Sequence, residues 1–155
     1  MNATIRAGCA EDIGGLVHLG MRFFEEAGLS DIAEWDTPSF MSTLAYLIDE
    51  NMPSTLLVVE KDSTLIGMAG GVLFPFYFDL KSSAFQEVFW FIEPEFRKGI
   101  GGQLLDELEA DARRKGADVF ISAHIAGQRD EAFGRVYAKR GYRPSENTYI
   151  RRLSS

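Results

Sequence analysis

Cysteine, histidine and proline are scarce in this chain: one, two and five of its 155 residues. Cys9 stands alone, so no disulfide can form within the chain, and Cys9, His18 and His124 are too few for a cysteine–histidine metal cluster, so no metal is expected. Cys9 itself reads as a small residue at a strand end rather than a nucleophile. No apolar run approaches the roughly 18 residues of a membrane span, and Met1-Asn2-Ala3-Thr4-Ile5-Arg6 lacks the apolar stretch of a signal peptide. A cytoplasmic protein with no membrane partner is the expectation. The phosphate-loop pattern G-x-x-x-x-G-K-[ST] is missing too, which excludes that kind of nucleotide site. Basic residues are in deficit, sixteen against twenty-three acidic ones for a net charge of -7, and this argues against a nucleic-acid partner.

What is present is ordinary globular composition, 46% hydrophobic and 25% charged, and a length that suits one domain spanning residues 1–155. The charge is uneven. Between Arg129 and Arg152 there are seven basic and three acidic residues, so an anionic ligand would favour the C-terminal third although the whole chain is acidic. Half of those charges read as a solvated helix face.

Periodicity places the elements. Ala3 to Ala7 reads as a strand, and the stripe Ile13, Leu16, Val17, Gly20 and Phe24 reads as a helix stopped by Gly28. A second helix is announced by Asp36-Thr37-Pro38, with Thr37 as its cap, and carries Phe40, Leu44, Leu47 and Ile48 on one face. The loop from Ser30 to Asp36 between these helices would lie on the surface, where specificity often resides. Thr55 to Glu60 and Thr64 to Phe74 form a hairpin about Lys61-Asp62-Ser63, and Gly67, Gly70 and Gly71 in its second strand signal a bulge or a close approach. The aromatic cluster Phe74 to Phe78 reads as core packing, as a wall of an acceptor pocket or as the contact of a homodimer.

Ala84 to Ile92 is a further strand, with Glu87 alone among apolar neighbours. After it comes Phe96-Arg97-Lys98-Gly99-Ile100-Gly101-Gly102, opening a helix that runs to about Lys115 on the stripe Ile100, Leu104, Leu105, Leu108 and Ala112. An apolar strand, a glycine-rich basic turn and a helix N-terminus together attract phosphate, because backbone N–H groups there lack partners and the helix dipole is positive. Val119-Phe120-Ile121 then reads as a buried strand parallel to the preceding one. Asp130 to Arg140 reads as a helix ended by Gly141, and Tyr142 with Tyr149-Ile150 as a final strand or pair.

The segment Pro94-Glu95-Phe96-Arg97-Lys98-Gly99-Ile100-Gly101-Gly102, followed some thirty residues later by Tyr137-Ala138-Lys139-Arg140-Gly141-Tyr142, resembles the two motifs of the GNAT acetyl-coenzyme A-dependent N-acetyltransferases. The resemblance extends from the first strand to Tyr149. Two departures stand out: Phe96 occupies a position that is usually Gln or Arg, and Asp130 one that is often Asn. The resemblance implies an α/β fold with a mixed, largely antiparallel sheet, a central parallel strand pair splayed apart, and about four flanking helices. It further implies acetyl-CoA as donor, with its pyrophosphate on Arg97, Lys98, Gly99, Ile100, Gly101 and Gly102, a contact at Asp130, and the pantetheine arm against main-chain groups of Phe91 and Ile92.

The reaction so implied is attack of a neutral primary amine, on a small molecule or peptide, on the thioester. Tyr137 would protonate the leaving thiolate. Glu87 is the first candidate base, since apolar surroundings raise a carboxyl pKa, and His124 the second, with water a third. Surplus negative charge favours a cationic acceptor. A non-catalytic acyl-CoA-binding or sensing module with the same fold is the alternative.

Overall fold

The computed structural model describes residues 2–127 and 129–154; Met1, Gln128 and Ser155 lie outside it. Five strands form one sheet in chain order: β1 (Thr4–Ala7), β2 (Ser54–Lys61), β3 (Thr64–Pro75), β4 (Ser83–Ile92) and β5 (Val119–Ile121). The first four are antiparallel to their neighbours, and β5 runs parallel to β4. The α-helices are α1 (Ile13–Glu26), α2 (Thr37–Ile48), α3 (Ile100–Arg114) and α4 (Asp130–Lys139).

Both faces of the sheet are covered, which explains why β2 is apolar at consecutive positions instead of alternating. Leu56 and Val58 join Leu16 and Leu19 of α1 and Leu44 and Leu47 of α2. Leu57 and Val59 point the other way and join Leu104, Leu108 and Ala112 of α3. The β2–β3 turn uses Asp62 and Ser63, both at positive φ (50° and 62°), the handedness that fits a two-residue hairpin. Asp36, not Thr37, caps α2: its Oδ2 accepts from Ser39 N at 2.8 Å, while the Thr37 hydroxyl accepts from Trp35 Nε1.

The feature that positions the site lies in β4. Phe85 packs on the α3 side, yet Phe89 and Phe91 pack on the α1 and α2 side, although all three numbers are odd. Alternation can change face only if one residue is extra. The register supplies it: Gly70 stands opposite Phe89 and Gly71 opposite Glu87, so Val88 has no partner on β3 and is 43% exposed. Gly71 accommodates this bulge. A Cβ there would lie 2.6 Å from the Gln86 carbonyl and 2.3 Å from Phe85 Cε1.

The mixed sheet with its parallel pair and four flanking helices is as expected. The last strand is not. Residues 143–154 form no strand and lie exposed, with Tyr149 at 89%, so the parallel pair forms an edge of the sheet rather than its middle. Few apolar residues and three arginines between Arg143 and Arg152 give that segment little to bury. Core packing is also ruled out for two residues of the aromatic cluster, since Tyr77 and Phe78 are 76% and 90% exposed.

Gly71→Ala is expected to destabilise the protein by about 1–3 kcal/mol through overpacking at the bulge, whereas Gly14→Ala, in open space on α1, should stabilise it by about 0.5–1 kcal/mol. Denaturant unfolding checks both; a neutral Gly71→Ala would contradict the need for glycine there.

Candidate active site

Two structures meet at the C-terminal end of β4. The first is the glycine turn. Gly99 sits at φ 90°, a conformation that favours glycine, and directs the chain into α3. The N–H groups of Ile100, Gly101 and Gly102 open the helix and so have no intrahelical acceptors. Trp90 Nε1 donates to the Gly101 carbonyl at 3.1 Å and ties this first turn to β4. Arg140 from the end of α4 comes so close that a Cβ on Gly102 would lie 2.6 Å from its Nη2, and Asp106 holds its guanidinium through contacts of 2.6 and 3.0 Å.

The two basic residues of the turn differ in their surroundings. Arg97 turns inward: its Nε donates to the Ile92 carbonyl at 2.8 Å, its Nη2 pairs with Glu26 of α1 at 2.7 Å, and its guanidinium lies over the Phe91 ring. This occupies one of the main-chain acceptors expected to face the coenzyme. Lys98 is exposed. Phe96 packs with the α3-side core, and Lys61 lies over its ring.

The second structure is a wedge. The β4–β5 ladder pairs Ala84 with Val119, Phe85 with Phe120 and Gln86 with Ile121, and stops there while β4 continues to Ile92. At the next residue a side chain takes over from the backbone. Glu87 Oε2 accepts from Ala123 N at 3.0 Å and from Ser122 Oγ at 3.1 Å. Ser122 Oγ in turn lies 2.9 Å from Tyr137 Oη, which also donates to the Ala123 carbonyl at 3.0 Å. The Tyr137 ring stands among Trp90, Tyr142 and His124, at centroid distances of 6.2, 5.4 and 6.0 Å.

Electrostatics follow from burial. Glu87 is 7% exposed, and desolvation raises its carboxyl from an ordinary 4.5 to about 7 against the opposing pull of the Ala123 and Ser122 donors. Desolvation likewise raises Tyr137 to about 12, with the Glu87 charge acting in the same direction, so the phenol carries its proton at neutral pH. His124 stacks on Phe133 at 4.8 Å, and its Nε2 lies 3.0 Å from Asp130 Oδ1. Asp130 accepts from Gly127 N with both oxygens.

The structure therefore brings Glu87 and Tyr137 into one hydrogen-bonded chain and places His124 beside it, held by Asp130. The glycines stand at the head of α3, and Phe91 and Ile92 on the same strand as Glu87. Sequence reasoning missed Ser122, Trp90 and Arg140. A serine just after the apolar strand Val119 to Ile121 was the available signal for Ser122; the other two became visible only through their contacts.

Fold and site together define an α/β protein of the acetyltransferase type. The model of the acetyltransferase (GNAT) family matches residues 21–142, and the chain belongs to that family. Among solved structures it is similar to a predicted acetyltransferase from Clostridium acetobutylicum crystallised with acetyl-CoA, with a TM-score of 0.75, 18% identity, and coverage of 98% of this chain and 97% of that one. An aminoglycoside acetyltransferase from an uncultured soil metagenomic sample matches with a TM-score of 0.73 and 15% identity over 99% of this chain and all of its own (100%). A ribosomal-protein-alanine N-acetyltransferase from Brucella melitensis gives a TM-score of 0.72 and 15% identity over 99% and 100%. No match was found among curated proteins.

A carboxyl raised in the folded state contributes stability that is fully present below its unfolded pKa, near 4.5, and is lost as pH rises through about 7. Glu87→Gln removes the charge and keeps an acceptor for Ser122 and Ala123. It is expected to be more stable than the parent by about 3 kcal/mol well above pH 7, the advantage vanishing below pH 4.5. Unfolding curves at both extremes decide it: a difference independent of pH would mean that Glu87 titrates as an ordinary carboxylate.

Proposed function

We propose that this protein transfers an acetyl group from acetyl-CoA to a primary amine by direct attack, with Glu87 as base and Tyr137 as acid. The observation that carries the reading is that these two side chains meet through Ser122 where β4 and β5 part. A phosphate-attracting helix N-terminus lies on the same strand's continuation. The pyrophosphate would rest on the N–H groups of Gly99 to Gly102, with Lys98 as the nearby exposed cation and Arg97 bracing the turn from within. The pantetheine arm would lie along β4 beyond Gln86, where, among the described residues, no neighbouring strand occupies that side.

The chemistry needs both groups. An alkylammonium has a pKa near 10, so a base must remove a proton before nitrogen can attack. A carboxyl raised to about 7 is ionised in a useful fraction at neutral pH and still basic enough to take that proton. Expulsion of the thiolate then needs an acid, which the protonated Tyr137 supplies. His124, paired with Asp130, is better placed to support Tyr137 than to serve as base.

For the acceptor, a depression between α1 and the loop after it is lined by Met21, Phe24, Glu25, Ala33, Glu34 and Trp35, an apolar floor with two carboxylates. Together with the net charge of -7 this favours an acceptor with a cationic and an apolar part. The depression includes none of Glu87, Ser122 and Tyr137, so it would dock a part of the acceptor remote from the reacting amine.

Two measurements test this. Acetyl-CoA is expected to raise the melting temperature, and a mass-spectrometric screen of amines with acetyl-CoA to find one that gains an acetyl group; no stabilisation at millimolar acetyl-CoA would end the proposal. Tyr137→Phe should keep coenzyme binding and lower kcat about a hundredfold. Stabilisation by acetyl-CoA without turnover for any amine would favour a binding or sensing module.

A further inference from the structure

Between the proposed base and the proposed acid stands one small side chain. Ser122 Oγ is 3.1 Å from Glu87 Oε2 and 2.9 Å from Tyr137 Oη. An ionised carboxylate only accepts hydrogen bonds, a carboxylic acid also donates, and a hydroxyl does both at once. With Glu87 ionised, Ser122 donates to it, so Ser122 can only accept from Tyr137. The Tyr137 O–H then points inward, towards Ser122 or the Ala123 carbonyl 3.0 Å away. With Glu87 protonated on the oxygen facing Ser122, both bonds reverse. Glu87 donates to Ser122, Ser122 donates to Tyr137, and the Tyr137 proton, no longer accepted by Ser122, divides between the Ala123 carbonyl and the wedge, while the oxygen gains a donor that can replace the proton once it leaves.

We propose, resting on the roles given above to Glu87 and Tyr137, that Ser122 is a positioning residue that makes protonation of Glu87 the condition for Tyr137 to present its proton to the departing sulfur. In order, the acceptor ammonium gives one proton to Glu87, and the nitrogen lone pair forms the C–N bond to the thioester carbon. The C–S bond then breaks with its electron pair on sulfur. Sulfur takes the Tyr137 proton, Tyr137 takes that of Ser122, Ser122 takes the one held by Glu87, and Glu87 is again a carboxylate. The second proton of the nitrogen leaves with water. The acid is armed only after the base has acted, which couples delivery of a proton to sulfur to loss of a proton from the attacking ammonium.

The surroundings leave this chain insulated. On the α4 side Tyr142 donates to Glu109, and after β5 His124 is paired with Asp130. Among the described residues, Glu87 and Tyr137 are the titratable groups that bond to Ser122.

The test compares Ser122→Ala, Ser122→Thr, Tyr137→Phe and the double variant Ser122→Ala/Tyr137→Phe in single-turnover acetyl transfer, with pH profiles. Ser122→Ala is expected to slow transfer about tenfold or more, with KM for acetyl-CoA unchanged. Its acid limb should move to higher pH, because the Ser122 hydrogen bond holds the Glu87 pKa down. Ser122→Thr, which keeps the hydroxyl, should restore the rate. The double variant should be no slower than Tyr137→Phe alone, because Ser122 acts through Tyr137. Additive losses in the double variant, or an Ala variant as fast as the parent, would overturn the relay while leaving the acid and base roles standing. If Tyr137→Phe costs nothing, the underlying roles fail instead. Should Ser122→Ala not fold, Ser122→Cys, of similar shape and a weaker donor, carries the same expectations.

Discussion

One unpaired residue in β4 determines how the rest of the molecule is arranged. Val88 has no partner on β3, and this extra residue changes which face each later side chain of the strand meets. Without it, Glu87 and Phe89 would lie on the same face as Phe85, and either the α3-side core would gain a phenylalanine or Glu87 would be forced among the leucines of α1 and α2. With it, Glu87 and Trp90 share the side that looks towards α3 and α4, while Phe89 and Phe91 fill the opposite core. A β-bulge bends a strand as well as rephasing it. The parallel ladder to β5 ends one residue before Glu87, so the extra residue, the parting of the strands and the buried carboxylate fall within three consecutive positions.

Burial then sets the chemistry. A carboxylate out of water is costly, and among the described residues two donors, Ser122 and Ala123 N, offset part of that cost. A stronger set of donors would have held Glu87 ionised at all relevant pH and made it a poor base. No donors at all would have left it a neutral acid. The intermediate arrangement keeps the carboxyl near neutrality, and because one of the donors is a hydroxyl rather than an N–H, that hydrogen bond can reverse its direction.

Much of this was legible in the sequence. Strand and helix periods, the hairpin at Lys61 to Ser63, the glycine turn and the isolated Glu87 could all be read, since each is a local consequence of spacing or of a residue type out of keeping with its neighbours. Gly70 and Gly71 signalled the bulge through their lack of side chains. The tertiary facts were not legible. Nothing local distinguishes Arg97 from Lys98, yet the first is drawn inward by Glu26, seventy-one positions away, and the second is exposed. The expected strand at Tyr149 and Ile150 does not form, because β-prone residues make a strand only when a neighbour and a core are there to receive them. Ser122 is an unremarkable residue type whose meaning comes wholly from what stands on either side.

The two rims of the sheet have a further consequence. β1 has four residues, and Arg6 on it is clasped by Asp12 and Glu60; β5 has three. A rim of that length offers an approaching chain few backbone groups to zip onto. A protein that must keep one side of a strand open to receive a ligand risks receiving another polypeptide instead. Here the open side of β4 lies in a cleft bounded by β5 and α4, while the outward-facing borders of the sheet are short, so the same sheet combines a free stretch of strand with rims that offer little to a second chain.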